Sequence, residues 1–216
     1  LKEFWQVGRP GWQHPEYGDN VWPTEVAQFG ATFTDLYKRL DGLGQVLLQA
    51  CAAYLDEPAD RFSSMATDSD TIVRVLFYPP VGKDVPPGAV RSAAHEDINL
   101  ITLLVAAGEP GLEILRRDGR WLAIETQPGQ VVVNVGDMLQ RLTNHVLVST
   151  THRVVNPPAP WSERSRYSVP FFLHPNPEFM IRSLPSCVSA QRPDRYPDAI
   201  SADDYLKQRL REIGLL

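Results

Sequence analysis

His95-Glu96-Asp97 is the first segment of this 216-residue chain whose residue types could do chemistry. On an extended strand, side chains two apart share a face, so His95 and Asp97 could chelate one ion while Glu96 points away. One more histidine from a neighbouring strand would complete a facial set of two imidazoles and a carboxylate. Such a set leaves coordination positions open and suits an oxygen-activating ferrous ion. Two of the five histidines lie at usable distances downstream, His145 and His152. His152 sits in Ser149-Thr150-Thr151-His152-Arg153-Val154-Val155, which reads as a strand, whereas His145 falls in a turn with no strand following. His14 and His174 stand beside prolines and read as structural.

Fourteen residues after His152 comes Arg166-Tyr167-Ser168, again a pair two apart. A guanidinium fork takes both oxygens of a carboxylate, and a hydroxyl adds a third hydrogen bond. One strand pair therefore offers metal ligands and another offers a carboxylate clamp.

The elements that must position these groups follow from the periodicity. From Thr34 to Leu55 apolar residues recur at helical spacing (Leu36, Leu40, Leu43, Leu47, Cys51), with Thr34 as the expected cap. Residues 1–30 read as irregular chain anchored by Trp5, Trp12 and Trp22, and residues 56–70 as a polar loop with a short helix. From Thr71 onward the pattern is one of short strands: Ile72–Tyr78, Asn99–Val105, Leu112–Arg116, Trp121–Ile124, Val131–Val135, Thr151–Val155 and Ser168–Leu173. Asp118-Gly119 and Gly136-Asp137 are among the turns that separate them. Ser201 then caps a last helix over Ala202–Ile213, with Asp204 completing a capping box. Strands at this spacing without intervening helices indicate an antiparallel sandwich or jelly roll. The expected architecture is mainly β with flanking helices: a segment over 1–70 with its helix at 34–55, then a core over 71–216 with the helix at 202–213.

Composition narrows the function classes. With 21 basic and 26 acidic side chains the net charge is −5, and no basic cluster marks a nucleic-acid partner. The longest apolar runs, such as Ile101–Ala107, fall far short of the ~20 residues of a membrane span. Two cysteines, Cys51 and Cys187, make neither a disulfide framework nor a CxxC site, so a reducing cytoplasm is the expected compartment. The 19 prolines suit a loop-rich β protein.

Taken together, these residues resemble the isopenicillin N synthase-like family of Fe(II)/2-oxoglutarate-dependent oxygenases. The resemblance runs from about Ile72 to Leu216. It rests on Arg74 with Tyr78-Pro79-Pro80, His95-Glu96-Asp97, Asn134-Val135-Gly136-Asp137, Gln140, Thr143-Asn144, Ser149, His152-Arg153-Val154 and Arg166-Tyr167-Ser168. It implies a double-stranded β-helix (jelly roll) core. It further implies Fe(II) held by His95, Asp97 and His152, and 2-oxoglutarate held by Arg166 and Ser168 with Tyr78 touching the same cosubstrate. The implied activity is O2-dependent oxidation, in the first place hydroxylation, of a small organic molecule with release of succinate and CO2. Leu76 stands where the family pattern often has asparagine, His145 where it usually has glycine, and the stretch from His152 to Arg166 is longer than common. Family members usually carry further residues before the part matching Leu1, so a longer native chain is expected.

Two other readings stay open from the residues alone. An oxidase of the isopenicillin N synthase type would use O2 without 2-oxoglutarate, and a jelly roll could bind metal without turnover. Substrate contacts would come from residues 1–30, the 79–94 loop and the last helix, where no motif names a compound.

Overall fold

A computed structural model of the chain describes residues 2–15, 18–82, 85–105 and 108–216. In chain order the elements are β1 (Glu3–Gly8), α1 (Phe29–Tyr54), β2 (Ile72–Tyr78), β3 (Ser92–His95), β4 (Ile101–Val105), β5 (Leu112–Leu115) and β6 (Trp121–Ala123). They continue with β7 (Val131–Val135), α2 (Asp137–Leu142), β8 (His152–Val154), β9 (Arg166–Leu173), β10 (Met180–Ile181), β11 (Ile200–Ser201) and α3 (Ala202–Glu212). Strands β1-β2-β9-β4-β7 form one antiparallel sheet and β3-β8-β5-β6 a second, smaller one, with β10 and β11 paired separately. One cavity is lined from both sheets, which is the jelly-roll arrangement the strand pattern indicates.

Strand alternation sorts the large sheet into two faces. Arg74, Leu76 and Tyr78 of β2, and Arg166, Ser168, Pro170 and Phe172 of β9, line the cavity. Their neighbours Val73, Phe171 and Leu173 are fully buried on the other face, together with Leu103 of β4. Helix α1 covers that face through Tyr37, Leu40 and Leu48. Tyr37 meets Phe171 edge-on at 5.1 Å. A Cβ on Gly44 would stand 2.8 Å from Leu173 Cδ2, so the glycine lets the helix seat on the sheet. Each fully buried large apolar side chain there contributes about 1.5–3 kcal/mol.

Several expectations need correction. Residues 3–8 are not irregular: they form β1, paired along its length with β2, so the segment before residue 70 supplies an edge strand of the large sheet. Only Val7 of this strand is buried, which is why its alternation is faint. Helix α1 begins at Phe29, not Thr34, and its first position follows Gln28, which sits at φ 65° without a side-chain cap. Aromatic packing replaces the cap: Phe29 packs on Phe33 at 4.4 Å and meets the edge of Trp5 at 5.7 Å. Gly136-Asp137 opens a helix, α2, instead of a simple turn. At the other end, Ser201 caps α3 as expected, accepting from the Asp204 amide at 3.0 Å.

Candidate metal centre and the pocket around it

The last residue of β3 and the first of β8 face each other in register, and they are His95 and His152. Asp97 joins them from the loop after β3. It is not on the strand, contrary to the two-apart reading. Its Oδ1 lies 3.9 Å from His95 Nε2 and 3.8 Å from His152 Nε2. One ligand atom from each residue falls within 4.8 Å of the others, the only such group of three or more among the described residues. Two donors on one ion, at bond lengths of roughly 2.1 Å, stand at most about 4.2 Å apart, and both contacts to Asp97 meet that limit. His145, the other candidate, turns away to Tyr196, with its Nε2 2.6 Å from the phenol oxygen.

Both imidazoles are oriented for coordination. His95 Nδ1 lies 2.7 Å from the Ala93 carbonyl and His152 Nδ1 3.1 Å from the Thr150 carbonyl. With the proton assigned to Nδ1, each ring donates to its backbone carbonyl and leaves the Nε2 lone pair toward Asp97. Burial, followed by the neighbouring His152, lowers the His95 pKa from its ordinary value. The neutral ring is the form a metal takes.

Asp97 is held from behind. Its Oδ2 accepts from Thr102 Oγ1 at 2.7 Å and from Asn134 Nδ2 at 2.8 Å, which aims Oδ1 at the histidines. Asn99 Nδ2 donates to Thr102 Oγ1 at 2.8 Å and fixes which way that hydroxyl points. The loop itself is clasped by the start of α2. The Asp137 amide donates to the Asp97 carbonyl (2.8 Å) and the Met138 amide to the Asn99 carbonyl (3.0 Å). Gly136 makes the clasp possible, because a Cβ there would lie 2.1 Å from Asn99 Oδ1 and 2.4 Å from the Asn99 carbonyl oxygen. The Asn134-Val135-Gly136-Asp137 motif thus orients the carboxylate through Asn134 and admits its loop through Gly136.

Across the cavity stands Arg166, only 2% exposed, at the start of β9. It pairs with Tyr78 across the sheet, and Ser168 pairs with Leu76. Its guanidinium carbon lies 5.6 Å from the centre of the Tyr78 ring. Its Nε and Nη1 are buried with no hydrogen-bond partner among the described residues. A buried cation with orphaned donors is costly unless an anion completes it. Arg166, Ser168 and Tyr78 line the same cavity as His95, Asp97 and His152, and the space enclosed is about 120 Å3, a volume for small molecules. Burial raises the Tyr78 pKa, and the arginines Arg166, Arg91 and Arg74 oppose it, so the phenol is a donor in the neutral range.

The departures noted in the sequence have structural answers. Leu76 lines the cavity as an apolar wall in place of an amide. Asn144 and His145 both adopt left-handed backbone, at φ 47° and 62°, so histidine occupies the conformation glycine takes most easily. Asn144 offsets its strain by bonding the Cys187 and Pro193 carbonyls and the Arg195 amide, tying the C-terminal segment to the α2 turn. Arg91 escapes sequence reasoning altogether. It is 7% exposed, acts on both Tyr78 and Arg166 by charge, and leaves Nε and Nη1 unpartnered among the described residues. No motif marks it, because its neighbours in space come from distant strands.

Comparison with known proteins extends these observations. The family model described as the 2OG-Fe(II) oxygenase superfamily matches residues 69–175. The 2-oxoglutarate-Fe(II) type oxidoreductase hxnY of Emericella nidulans is 33% identical over 220 residues, covering 96% of this chain and 62% of its own length. A 2OG-Fe(II) oxygenase family protein from Caulobacter crescentus is 50% identical, with a TM-score of 0.89 over 99% of this chain and 70% of that one. A full-length Neurospora crassa protein, solved in complex with alpha-KG and thymine, is 32% identical with a TM-score of 0.88, covering 98% of this chain and 65% of that one. The chain spans between half and about two thirds of the length of the curated relatives it matches. Among the described residues, no helix is long and apolar enough to cross a membrane.

Proposed function

The chain belongs to the 2OG-Fe(II) oxygenase superfamily, and from that premise we propose that it is an Fe(II)- and 2-oxoglutarate-dependent dioxygenase that hydroxylates a small organic molecule. The observation that carries this reading is one cavity with a His–Asp–His cluster on one wall and a buried guanidinium with unpartnered donors on another. The donor set fits Fe(II): two neutral imidazole nitrogens and one carboxylate oxygen, from His95, His152 and Asp97. The orphaned donors of Arg166 fit the far carboxylate of 2-oxoglutarate, with Ser168 and Tyr78 adding hydroxyl contacts. Bound together, the ion and the cosubstrate supply oxidation by O2 coupled to decarboxylation of 2-oxoglutarate to succinate and CO2.

The chain's own residues do the positioning. Asn134 and Thr102 hold Asp97 so that its other oxygen faces the imidazoles. Arg166 fixes the cosubstrate at a set distance along β9, since its backbone is paired with Tyr78 of β2. Leu76, Leu104, Ile114 and Val132 give the cavity an apolar lining that keeps bulk water from the reacting groups. A small-molecule substrate in the same cavity is in keeping with its size, and with the thymine bound by the Neurospora relative. The two free cysteines fit the cytoplasmic location expected above.

The test is anaerobic addition of Fe(II) and then 2-oxoglutarate, followed by visible absorbance. A charge-transfer band is expected in the wild type and is lost in His152→Ala. In Arg166→Ala the metal still binds, and the band requires roughly tenfold to a hundredfold more 2-oxoglutarate, as for a lost charge-assisted hydrogen bond. A wild-type protein without the band, or a His152→Ala variant that keeps it, would overturn the proposal. Succinate formed in step with substrate oxidation separates this activity from an oxidase that uses O2 alone.

A further inference from the structure

The cavity holds a second cationic end. Arg74 stands four residues from Tyr78 along β2, roughly 13 Å at strand rise, and lines the cavity together with Lys2. Its guanidinium carbon lies 5.0 Å from the Phe4 ring centre and 5.3 Å from that of Phe172, so the planar group is held between two aromatic side chains. Its Nε and Nη2 donate to one neutral acceptor, Gln6 Oε1, at 3.1 and 2.8 Å. The position is thus preorganised by β1 and β9 before any ligand arrives. Neither Arg74 nor Lys2 makes an ion pair among the described residues; the carboxylate that acts on Arg74 by charge is Asp97, whose Oδ1 lies near the two histidines. The two cations also feel one another, since burial and then Arg74 shift the Lys2 pKa down.

Charge matching identifies what is missing. The cavity lining carries Lys2, Arg74 and Arg166 against a single carboxylate, Asp97, which faces the two histidines. A divalent ion and a dianionic cosubstrate, the pair required by the function proposed above, cancel one another. The lining still holds an excess of positive charge, concentrated at the end that Arg166 does not serve. Around Arg74 the wall is apolar: Leu104, Val132, Pro170 and Phe172.

We propose that Arg74, assisted by Lys2, is the substrate-recognition site, and that the substrate is a small carboxylic acid. Its carboxylate binds the Arg74 guanidinium, and its apolar body lies along Leu104, Val132 and Phe172 toward the metal ligands. A planar fork held between two rings suits a planar, singly charged carboxylate. The inference rests on the proposed function for the location of the reacting centre, but not for the binding itself.

The test is calorimetric titration of the chain with matched pairs: phenylacetate and phenylacetamide, 3-phenylpropanoate and 3-phenylpropanamide, hexanoate and hexanamide, with phenyl phosphate as the other anion. It is run with Fe(II) and 2-oxoglutarate under anaerobic conditions and again without them. At least one acid is expected to bind roughly tenfold to a hundredfold tighter than its amide, the effect of a charged hydrogen-bond partner. Arg74→Gln should abolish that preference, Arg74→Lys should restore part of it, and Lys2→Gln should reduce it by a smaller factor. The 2-oxoglutarate charge-transfer band should be unchanged in all three variants, which also establishes that they are folded. The proposal is overturned if no acid outbinds its amide, if the preference survives Arg74→Gln, or if phenyl phosphate outbinds every carboxylate. Absence of the band in the wild type overturns the proposed function instead, and the acid–amide comparison without metal still decides this inference.

Discussion

The five-stranded and four-stranded sheets carry different halves of the site and are held in place to different degrees. In the large sheet the strands run from five to eight residues, and α1 covers the back of β4 and β9. Arg166, Ser168, Tyr78 and Arg74 all stand on it. In the small sheet every strand has three or four residues, and β3 is broken by a register shift between Ser92 and His95. Of its strand residues only Leu112 and Val154 are buried. Yet this sheet carries both histidines of the candidate metal centre. The groups proposed to grip organic anions are preorganised by a hydrophobic core. Those proposed to grip the ion depend on a thin sheet, backbone carbonyls and the loop carrying Asp97. The ion is therefore expected to act as part of the small sheet's framework as well as its cargo.

The joint between the sheets is the place to break this contrast most forcefully. Gly136→Ala drives a methyl group into the Asn99 backbone, which joins β3 to β4. A loss of about 3 kcal/mol or more in urea unfolding is expected, with weakened metal binding in whatever folds. A fully stable Gly136→Ala would mean that the joint is slack. Next in size is the effect of the ion. Mn(II) at a hundredfold excess over its Kd should add about 2.7 kcal/mol, and amide hydrogen exchange should slow in β3 and β8 far more than in β4 and β9. Equal protection of both sheets would erase the proposed difference. Asn134→Ala then tests how far the large sheet reaches into the metal site, since Asn134 is its side-chain contact from β7 to Asp97. Metal affinity is expected to fall about 10–100-fold, with the Arg166 end untouched. The smallest effect is a pH dependence behind α2. Burial first, and then Glu96, pushes the Asp137 pKa up to about 6, against the pull of Arg209 at 3.0 Å. A carboxyl raised in the folded state stabilises most below its ordinary pKa and loses that contribution as pH rises through 6. The urea midpoint of the wild type should therefore decline between about pH 4 and 6 relative to Asp137→Asn, and parallel curves would remove Asp137 from the account.

What the sequence reveals follows the same division. The proposed metal ligands and clamp are legible because each is defined by side-chain type and order along the chain: His95, Asp97, His152, Arg166 and Ser168 need no coordinates to be singled out. Strands β2 and β7 are read to the residue because both are rich in β-branched or aromatic residues and are ended by prolines or glycine. Strand β1 is not, since Phe4 and Trp5 are exposed or half-exposed on an edge and blur the alternation. The start of α1 is hidden because aromatic packing, not a capping side chain, fixes it. Asp97 reads as a strand residue because its true position depends on amides of α2, about forty residues later, which no local pattern displays. Arg91 is invisible for the related reason that burial is a property of the fold.

Strand β9 carries the clamp at Arg166 and Ser168, a wall at Pro170 and an aromatic face at Phe172, all on alternate residues. A strand that reads in steps of two behaves as a reading frame. One residue inserted between Ser168 and Phe171 would turn Phe171, now fully buried against Tyr37, into the cavity and send Phe172 into the core. Substitution can thus revise the site one station at a time, whereas a change of length inside β9 scrambles it. A change of length fits outside the frame, as in the proline-bearing stretch from Asn156 to Ser165 between the histidine of β8 and the clamp.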